Sequence, residues 1–547
     1  MKTAASEQKL RGGYYTPPTI AQFLTDWAIQ TLDDAVLEPS AGDGVFVDAA
    51  VRRLTALGGN TSRVTAVEID RDEAAKVRSR LGDSGGSVHP GDFFAWARSA
   101  KARGEQFDAI LGNPPFLRFA YFQPEHRDIA FKLMQDQGLK PNKLTNAWLP
   151  FVAIATSLLT PRGRLAMVVP AELLQVSYAA QLRQYLSDNF HRVTVYAFDR
   201  LVFGGIQQEV VLLTAECAGD GPGGIRVIEV EDVEALNSGH HDWSAEPLKA
   251  MDHNTEKWTQ YFLSTDQLEL VRHLRSSGKL IRLGDVAEVD VGVVTGMNDF
   301  FVVDANGATP VELKAHSIPI LTRSKQLLGA EVTEEDWRTF YDAGQARLLL
   351  ALDDSAVIDG VLEEYIALGE ERKVDKGYKC SIRRKWYVVP SRWRPGGFML
   401  RQVHTFPRLA LNRTPATSTD TVHRVAFKDE ATAEALVAAF HNSATFLFAE
   451  IFGRSYGGGI LELEPTEAEN LLVPSLQAAP SLKKVDAALR KGDVDALVRL
   501  GDQALTATVE LSPDDLRGLF DGWTRLRDRR LRRNRASRLT AVEIPRG

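Results

Sequence analysis

Asn113-Pro114-Pro115-Phe116 is the segment whose residue types and order are best suited to chemistry. It follows an apolar, strand-like run, Phe107 to Gly112. An asparagine side-chain oxygen accepts one N–H of an amino group. A rigid Pro-Pro turn frees a backbone carbonyl for the other, since proline fixes φ and offers no competing N–H. An aromatic ring beside them stacks on the planar system that bears the amine. Such a turn is built to hold an amino group next to a methyl donor. Its plainer reading is an Asn-initiated β-turn with a core phenylalanine.

Three further groups fall at the ends of the preceding predicted strands. The first is the turn Glu38-Pro39-Ser40-Ala41-Gly42-Asp43-Gly44, where a short strand at Val36-Leu37 gives way to a helix running to about Leu57. Glycine lets a ligand approach the backbone closely. The turn is neither a phosphate-cradling Walker loop nor a three-glycine dinucleotide fingerprint. The second is Glu68, followed by Ile69, at the end of the strand 64–69. A carboxylate there is placed to accept both hydroxyls of a ribose. The third is Asp92-Phe93 after a short strand near Ser87-Val88. Its carboxylate suits an adenine amino group and its ring an adenine face. Each acid taken alone also reads as a helix cap or a solvated strand end. The four in order describe an adenosyl cofactor with no phosphates to cradle.

The elements that must position these groups alternate. Helices are expected over 17–31, 71–81, 146–159 and 171–188, and strands over 107–111, 164–169, 192–197 and 208–214, with a loop over 117–141. This is the pattern of a mostly parallel sheet covered by helices, whose ligands lie at the carboxyl ends of the strands. The Gly-rich run 218–224 breaks the pattern. The expected organisation is a catalytic domain over 1–225, a linker over 226–260, a second domain over 261–480 and a helical, basic segment over 481–547. In the second domain short β runs are expected at 286–303, 385–389 and 408–412, with helices near 355–368, 430–449 and 481–507.

The composition is that of an ordinary globular protein of 547 residues, with net charge −7. No apolar run of membrane-spanning length and no signal-peptide core occur, and two cysteines give neither a disulfide framework nor a zinc spacing. No metal site and no membrane association are expected, and a cytoplasmic location fits. Charge is unevenly spread. Between Glu371 and Arg413 stand 12 Lys/Arg against 2 Asp/Glu, and between Trp523 and Arg538 eight arginines against one aspartate. The first island interleaves Arg383, Arg384, Lys385, Arg392, Arg394 and Arg413 with Tyr378, Trp386, Tyr387, Trp393 and Phe398, a mixture suited to phosphate and base contacts.

Residues 11–215 resemble the catalytic domain of S-adenosyl-L-methionine-dependent DNA amino-methyltransferases, in the gamma-class order with the recognition domain last. Gly13-Tyr14-Tyr15-Thr16-Pro17 matches the family's N-terminal motif, which packs on the methionine part of the cofactor. Glu38 to Gly44 matches the cofactor loop, Glu68 the ribose-binding acid, Asp92-Phe93 the adenine-binding pair and Asn113 to Phe116 the catalytic motif. Phe203 aligns with a second aromatic that packs on the flipped base. The resemblance implies a Rossmann-like methyltransferase domain with a C-terminal mixed α+β target-recognition domain and a basic helical tail. It implies methyl transfer to adenine N6 in double-stranded DNA, within a restriction-modification system, by a monomer whose partner is a separate cognate endonuclease. Cytosine N4 presents the same chemistry. Cytosine C5 does not, since Cys217 follows Glu216 and Cys380 follows Lys379, with no proline before either.

Three rivals remain open on sequence. RNA or a protein glutamine amide is an alternative substrate. A fused nuclease is weakly imitated by Asp354 with Glu371-Arg372-Lys373, and only 37 residues precede the cofactor turn. A non-enzymatic DNA-binding relic is the third.

Overall fold

The structure is a computed structural model of the full chain. It describes residues 16–82, 85–117, 123–142, 145–200, 209–237, 243–251, 257–307, 309–456 and 459–542. The chain divides into two units, residues 1–265 with 532–547, and residues 266–531.

The first unit is built on an eight-stranded sheet. Its strands are β1 (Val36–Glu38), β2 (Val64–Glu68), β3 (Ser87–Pro90), β4 (Phe107–Gly112), β5 (Leu159–Pro170), β6 (Arg192–Phe198), β7 (Val210–Glu216) and β8 (Gly224–Val230). The order across the sheet is β3-β2-β1-β4-β5-β7-β6-β8. All neighbours are parallel except β7, which runs antiparallel to β5 and β6. Strand β1 therefore lies between β2 and β4, and the chain order reverses there. That is where an open α/β sheet offers a crevice at its carboxyl edge. The helices are α1 (Pro18–Ala28), α2 (Val45–Ala56), α3 (Arg71–Leu81), α4 (Phe93–Ala102), α5 (Pro124–Gln135), α6 (Trp148–Thr156) and α7 (Ala180–Asn189). The architecture is a Rossmann-like, mostly parallel α/β sheet covered by helices, with a second, C-terminal unit following it.

Local chemistry explains the boundaries. Helix α1 starts with proline in its first turn, where the missing N–H costs nothing. Helix α3 is capped by Asp70, whose side chain accepts from the N–H groups of Asp72 and Glu73. Strand β4 and the second half of β5, from Leu165 on, are buried almost throughout, as expected of strands covered on both sides, while Pro161 and Arg162 at the start of β5 are exposed.

Several elements differ from the sequence expectation. Helix α4 was not anticipated, because Gly91-Asp92-Phe93-Phe94 reads as a strand end; Asp92 instead caps a helix. The 117–141 stretch holds α5 rather than loop alone. The 171–188 helix begins as two short 3-10 turns and becomes α-helical only at Ala180. The stretch expected as linker carries most of β8, which begins at Gly224, the last residue of the Gly-rich run. Beyond β8, Ile225 and Lys249 exchange backbone hydrogen bonds in both directions, at 2.9 and 2.8 Å. The Lys249 ammonium is buried and donates to the Tyr261 carbonyl at 2.6 Å.

The second unit contains a five-stranded sheet, with Gly397–Leu400 between Leu409–Asn412 and Val422–Phe427, and a four-stranded sheet that includes Ser317–Leu321 and Arg347–Leu350. Helices Leu482–Lys491 and Val494–Thr508, expected in a separate tail, fall within this unit. The 385–389 run is a turn, not a strand. Trp386 packs there against Phe300 at 5.4 Å, and over Gly369 so closely that a Cβ would lie 2.3 Å from its ring. Among the described residues no single helix is long and apolar enough to cross a membrane.

Candidate functional site

Glu38 ends β1 and Asn113 follows β4, so the neighbouring carboxyl ends of these two strands bring them together. Ser40 links the two: its N–H donates to Glu38 Oε1 at 3.2 Å and its hydroxyl to the Asn113 carbonyl at 3.3 Å. Asn113 Nδ2 donates to Thr16 Oγ1 at 3.1 Å, which ties the Asn-Pro-Pro-Phe turn to the segment before α1. Thr16 is buried, and Pro17 forms the N-cap of α1. Pro114 is buried, Pro115 half-buried, and Phe116 buried with 8% of its surface exposed.

Glu38 is 2% exposed, and its Oε2 has no hydrogen-bond partner among the described residues. Burial pushes its carboxyl well above the usual carboxylate range; the nearby Glu68 and Asp43 add to this, against the pull of the Ser40 N–H. A buried acid with one open oxygen is a place for a cationic or hydrogen-bond-donating group.

The turn between β1 and α2 is held open by Glu68 from the end of β2. Glu68 Oε2 accepts the Gly42 N–H and Oε1 the Asp70 N–H, both at 2.8 Å. Each carboxylate oxygen keeps a second lone pair for further donors. Burial raises the Glu68 pKa, and the two backbone N–H groups lower it again. Ala41 is buried and its N–H bonds the Val67 carbonyl at 3.0 Å, which docks the turn on β2. Gly42 and Gly44 have φ of +51° and +86°, and a Cβ on Gly42 would meet nothing within 4 Å. The backbone is therefore bare toward open space at Gly42, as a close-fitting ligand requires. Ile69, next to Glu68, is 59% exposed despite its apolar side chain.

Asp92 divides its two oxygens. Oδ1 accepts the Ala95 N–H at 2.9 Å as the cap of α4, while Oδ2 stands 3.6 Å from His126 Nδ1 on α5. Burial raises its pKa, opposed first by the Ala95 N–H and then by His126. Phe93 is buried and stacks on Phe151 of α6, with centroids 5.0 Å apart. Phe151 and His126 join the site from elements 58 and 34 residues downstream of Asp92-Phe93, and no motif in the sequence marked them. Tyr15 and Phe203 lie outside the described residues.

The residues expected to meet an anionic partner are less uniform. Arg383 spends its guanidinium on carbonyls, Thr295 at 2.8 Å, Val294 at 3.1 Å and Trp386 at 3.3 Å, and lies over the Phe301 ring. Arg413 is paired with Glu331 at 2.8 Å and with Glu434. Arg392 donates to the Ala351 carbonyl. Arg384 pairs with Asp354 at 3.0 Å but stays 75% exposed, and Lys385 reaches the Asp354 carbonyl at 2.8 Å. Arg394 is exposed and lines a polar cavity of about 630 Å³ with Arg413, Glu430 and Glu434. Trp386 is half-buried and packs against the core cluster of Phe300 and Phe301, with its indole N–H on Glu370 at 3.3 Å. The second island is partly internal: Arg530 is buried in a two-point pair with Glu450, at 2.6 and 3.0 Å, and Arg529 is 2% exposed. Asp354 is occupied by Arg384, and Glu371 ends a helix, Gly360–Glu371. Among the described residues no cluster of three or more His, Cys, Asp or Glu is placed to hold a metal.

Residues 73–203 match the model of the Eco57I restriction-modification methylases, and residues 255–506 match that of the C-terminal domain of the type II methyltransferase M.Eco57I. The type II methyltransferase M.AccI of Acinetobacter calcoaceticus is 21% identical over 477 residues, covering 83% of each chain. M.XamI of Xanthomonas campestris pv. amaranthicola is 24% identical over 482 residues, covering 85% of each. Among solved structures, the type IIL restriction-modification enzyme MmeI in complex with DNA matches with a TM-score of 0.55 at 12% identity, covering 93% of this chain and 72% of that one. That likeness shows the fold. Two family segments in consecutive order, with relatives aligned along most of the length, make this chain similar to the type II restriction-modification methyltransferases.

Proposed function

We propose that this chain is a sequence-specific DNA methyltransferase that uses S-adenosyl-L-methionine to methylate the exocyclic N6 of an adenine flipped out of duplex DNA. The observation that carries the reading is the convergence, at the β1/β4 crevice, of Asn113 with a buried glutamate that keeps one oxygen open. When bound, the cofactor supplies an electrophilic sulfonium methyl group. Glu38 Oε2 takes the cofactor's ammonium, Glu68 its ribose hydroxyls, and Asp92 Oδ2 its adenine amino group. Ser40, Ala41, Gly42 and Gly44 line its path, with Thr16, Pro17 and Tyr15 at the methionine end. Ile69, Phe93 and Phe151 bound the adenine ring.

Asn113 and the Pro114 carbonyl hold the target amine. An exocyclic base amine is a poor nucleophile because its lone pair is delocalised into the ring. Hydrogen bonds from its two N–H groups draw the nitrogen toward tetrahedral geometry and localise that pair for in-line attack. The rest of the catalysis is positioning and electrostatic preorganisation. Stacking on Phe116 and Phe203 offsets part of the cost of extruding the base, at about 1–3 kcal/mol per stacked base. Arg384, Lys385, Arg392 and Arg394 are the cations best placed to meet phosphates. Arg383 and Arg413 brace the domain they belong to.

The test is Asn113→Ala. Methyl transfer to DNA is expected to be lost while cofactor affinity stays the same; a near-normal rate would remove Asn113 from the mechanism. Methylation mapping of DNA from cells expressing the chain reads the base, the position and the recognition sequence together. It separates adenine N6 from cytosine N4. Transfer to RNA or to a protein amide in preference to duplex DNA would overturn the reading.

A further inference from the structure

Tyr378 and Ile382 are 75% and 65% exposed, and they stand one helical turn apart on the turn Tyr378–Ser381 with Ile382 as its C-cap. Side chains four apart on a helical turn share one face. Val294, 40% exposed, belongs to the Val294-Thr295-Gly296 segment against which this turn packs. Large apolar side chains in the middle of a strongly basic stretch are not there to solubilise it. Their contact with water is unfavourable, and burial against a partner would relieve it.

The mount of this apolar pair is rigid. Between the two exposed residues, Cys380 is 1% exposed and belongs to the core cluster of Phe300, Phe301 and Val374. A Cβ on Gly296 would lie 3.0 Å from Lys379 Cβ and 3.1 Å from Cys380 Sγ, so the turn sits tightly on that glycine. Arg383 then fastens the segment through three carbonyls, those of Val294, Thr295 and Trp386. Tyr378 and Ile382 are thus presented by a braced turn rather than a loose loop.

The surroundings identify the partner. Lys373, Lys376 and Lys379 are exposed, Lys379 within 5.8 Å of the Tyr378 ring, and Arg384 and Lys385 follow directly. Phosphates fit the cations. An apolar, planar surface between two phosphate rails fits the exposed pair, and a partly opened base step in duplex DNA supplies that surface. We infer that Tyr378 and Ile382 form a wedge that enters a base step of the bound duplex, kinks it, and lowers the cost of extruding the target base. Apolar side chains inserted between base steps unstack and bend duplexes in this way. Lys379, Arg384 and Lys385 hold the phosphates on either side of the step.

The inference rests on the DNA-methylation reading above, and its test keeps the two apart. The probe is a duplex of about 30 base pairs that carries the site found by methylation mapping, with donor and acceptor dyes at its ends. A second duplex has an abasic residue opposite the target base. The full-length Tyr378→Ala/Ile382→Ala double variant is compared with the wild type and with Tyr378→Phe and Ile382→Leu. The wild type and the two conservative variants are expected to shorten the end-to-end distance, and the double alanine variant to leave the duplex straight. On the paired duplex the double variant loses about tenfold or more in methylation rate. On the abasic duplex, whose target is already unpaired, it stays within about threefold of wild type. A wild type that binds and methylates without bending the duplex overturns the wedge and leaves the methyltransferase reading standing. So does a double variant that bends the duplex normally, or that loses rate equally on both duplexes. A wild type that methylates neither duplex overturns both.

Discussion

Glu38 Oε1 occupies the space where a side chain at position 112 would begin: a Cβ on Gly112 would stand 2.5 Å from it. Gly112 ends β4 one residue before Asn113, so the glycine lets a buried acid from β1 lie directly beneath the Asn-Pro-Pro-Phe turn. Gly112→Ala must displace Glu38, and with it the Ser40 N–H that Glu38 accepts. The expected result is a loss of about 1–3 kcal/mol in stability, the usual cost of overpacking. A drop in S-adenosyl-L-methionine affinity larger than the stability change explains should accompany it. Urea denaturation and titration calorimetry on the same variant measure both.

Thr16→Val tests the anchor of Asn113. Valine keeps the shape and removes the hydroxyl that receives the Asn113 amide at 3.1 Å. An unanchored amide samples other rotamers, and misplacement by about 1 Å can cost on the order of a hundredfold in rate. We expect kcat to fall about tenfold to a hundredfold, more than any accompanying rise in the cofactor Kd, since Thr16 also stands at the methionine end of the cofactor. A variant with unchanged kcat and a raised Kd would assign Thr16 to cofactor binding alone.

Proton linkage at the crevice has a definite sign. Folding raises the pKa values of Glu38, Glu68 and Asp92, chiefly through burial. The folded protein therefore retains protons that the unfolded chain has released. The stability these groups contribute is full below the ordinary carboxylate range and is lost as pH rises through the raised folded values. A ligand that donates to the ionised acids must displace those protons. Cofactor binding at mildly acidic pH is expected to release protons, seen as a dependence of calorimetric heat on buffer ionisation enthalpy. Glu38→Gln should reduce that release.

Asp502 offers the same sign in the second unit, away from any proposed chemistry. Burial raises its pKa to about 6 from 3.8, against the pull of the Ser443 N–H and hydroxyl that it accepts at 2.9 and 2.8 Å. Asparagine can accept both bonds without a charge. Between acid and neutral pH the stability of Asp502→Asn should gain on wild type by up to about 3 kcal/mol, since each pKa unit is about 1.36 kcal/mol. Denaturation midpoints on either side of the transition read the difference. Parallel curves would show that the carboxylate is not buried as described.

Arg530 lies in a basic run but is expected to behave as a core residue. It pairs with Glu450, both nearly inaccessible, and donates to the carbonyls of Gly459 and His404. Removing one partner of a buried ion pair costs about 3–5 kcal/mol, because the other charge is left uncompensated. Arg530→Ala should lower the thermal midpoint of the second unit strongly. Arg384→Ala, whose side chain is 75% exposed, should leave it unchanged and weaken salt-dependent DNA binding instead.

The sheet was legible because its strands alternate with helices and are bounded by turn residues. The four strand-end groups were legible because each stands immediately after a β run. Helix α4 was hidden by Asp92, whose dual use as a cap and as a site acid cannot be separated by residue type. Helix α5 was hidden by its polarity, with Glu125, His126, Arg127 and Asp128 in succession. His126 reaches Asp92 only through tertiary packing. In the second unit most strands are two to six residues long, too short for periodicity to register. There too, Arg383 and Arg530 look like surface cations in the sequence. Only their burial and carbonyl partners show that they brace a domain.

The exchange of hydrogen bonds between Ile225 and Lys249 has a consequence for how the protein behaves when concentrated. A bare strand edge is a template on which a second chain can add its own strand. Strand β8 meets Lys249 on its outer side, and the buried ammonium that follows makes that rim hard to peel back. At the opposite rim β3 is only four residues long and ends in Pro90, which has no N–H to offer a newcomer. The eight-stranded sheet is thus blunted against templated growth at the start of β8 and at the end of β3, which helps keep its long, apolar central strands from other copies.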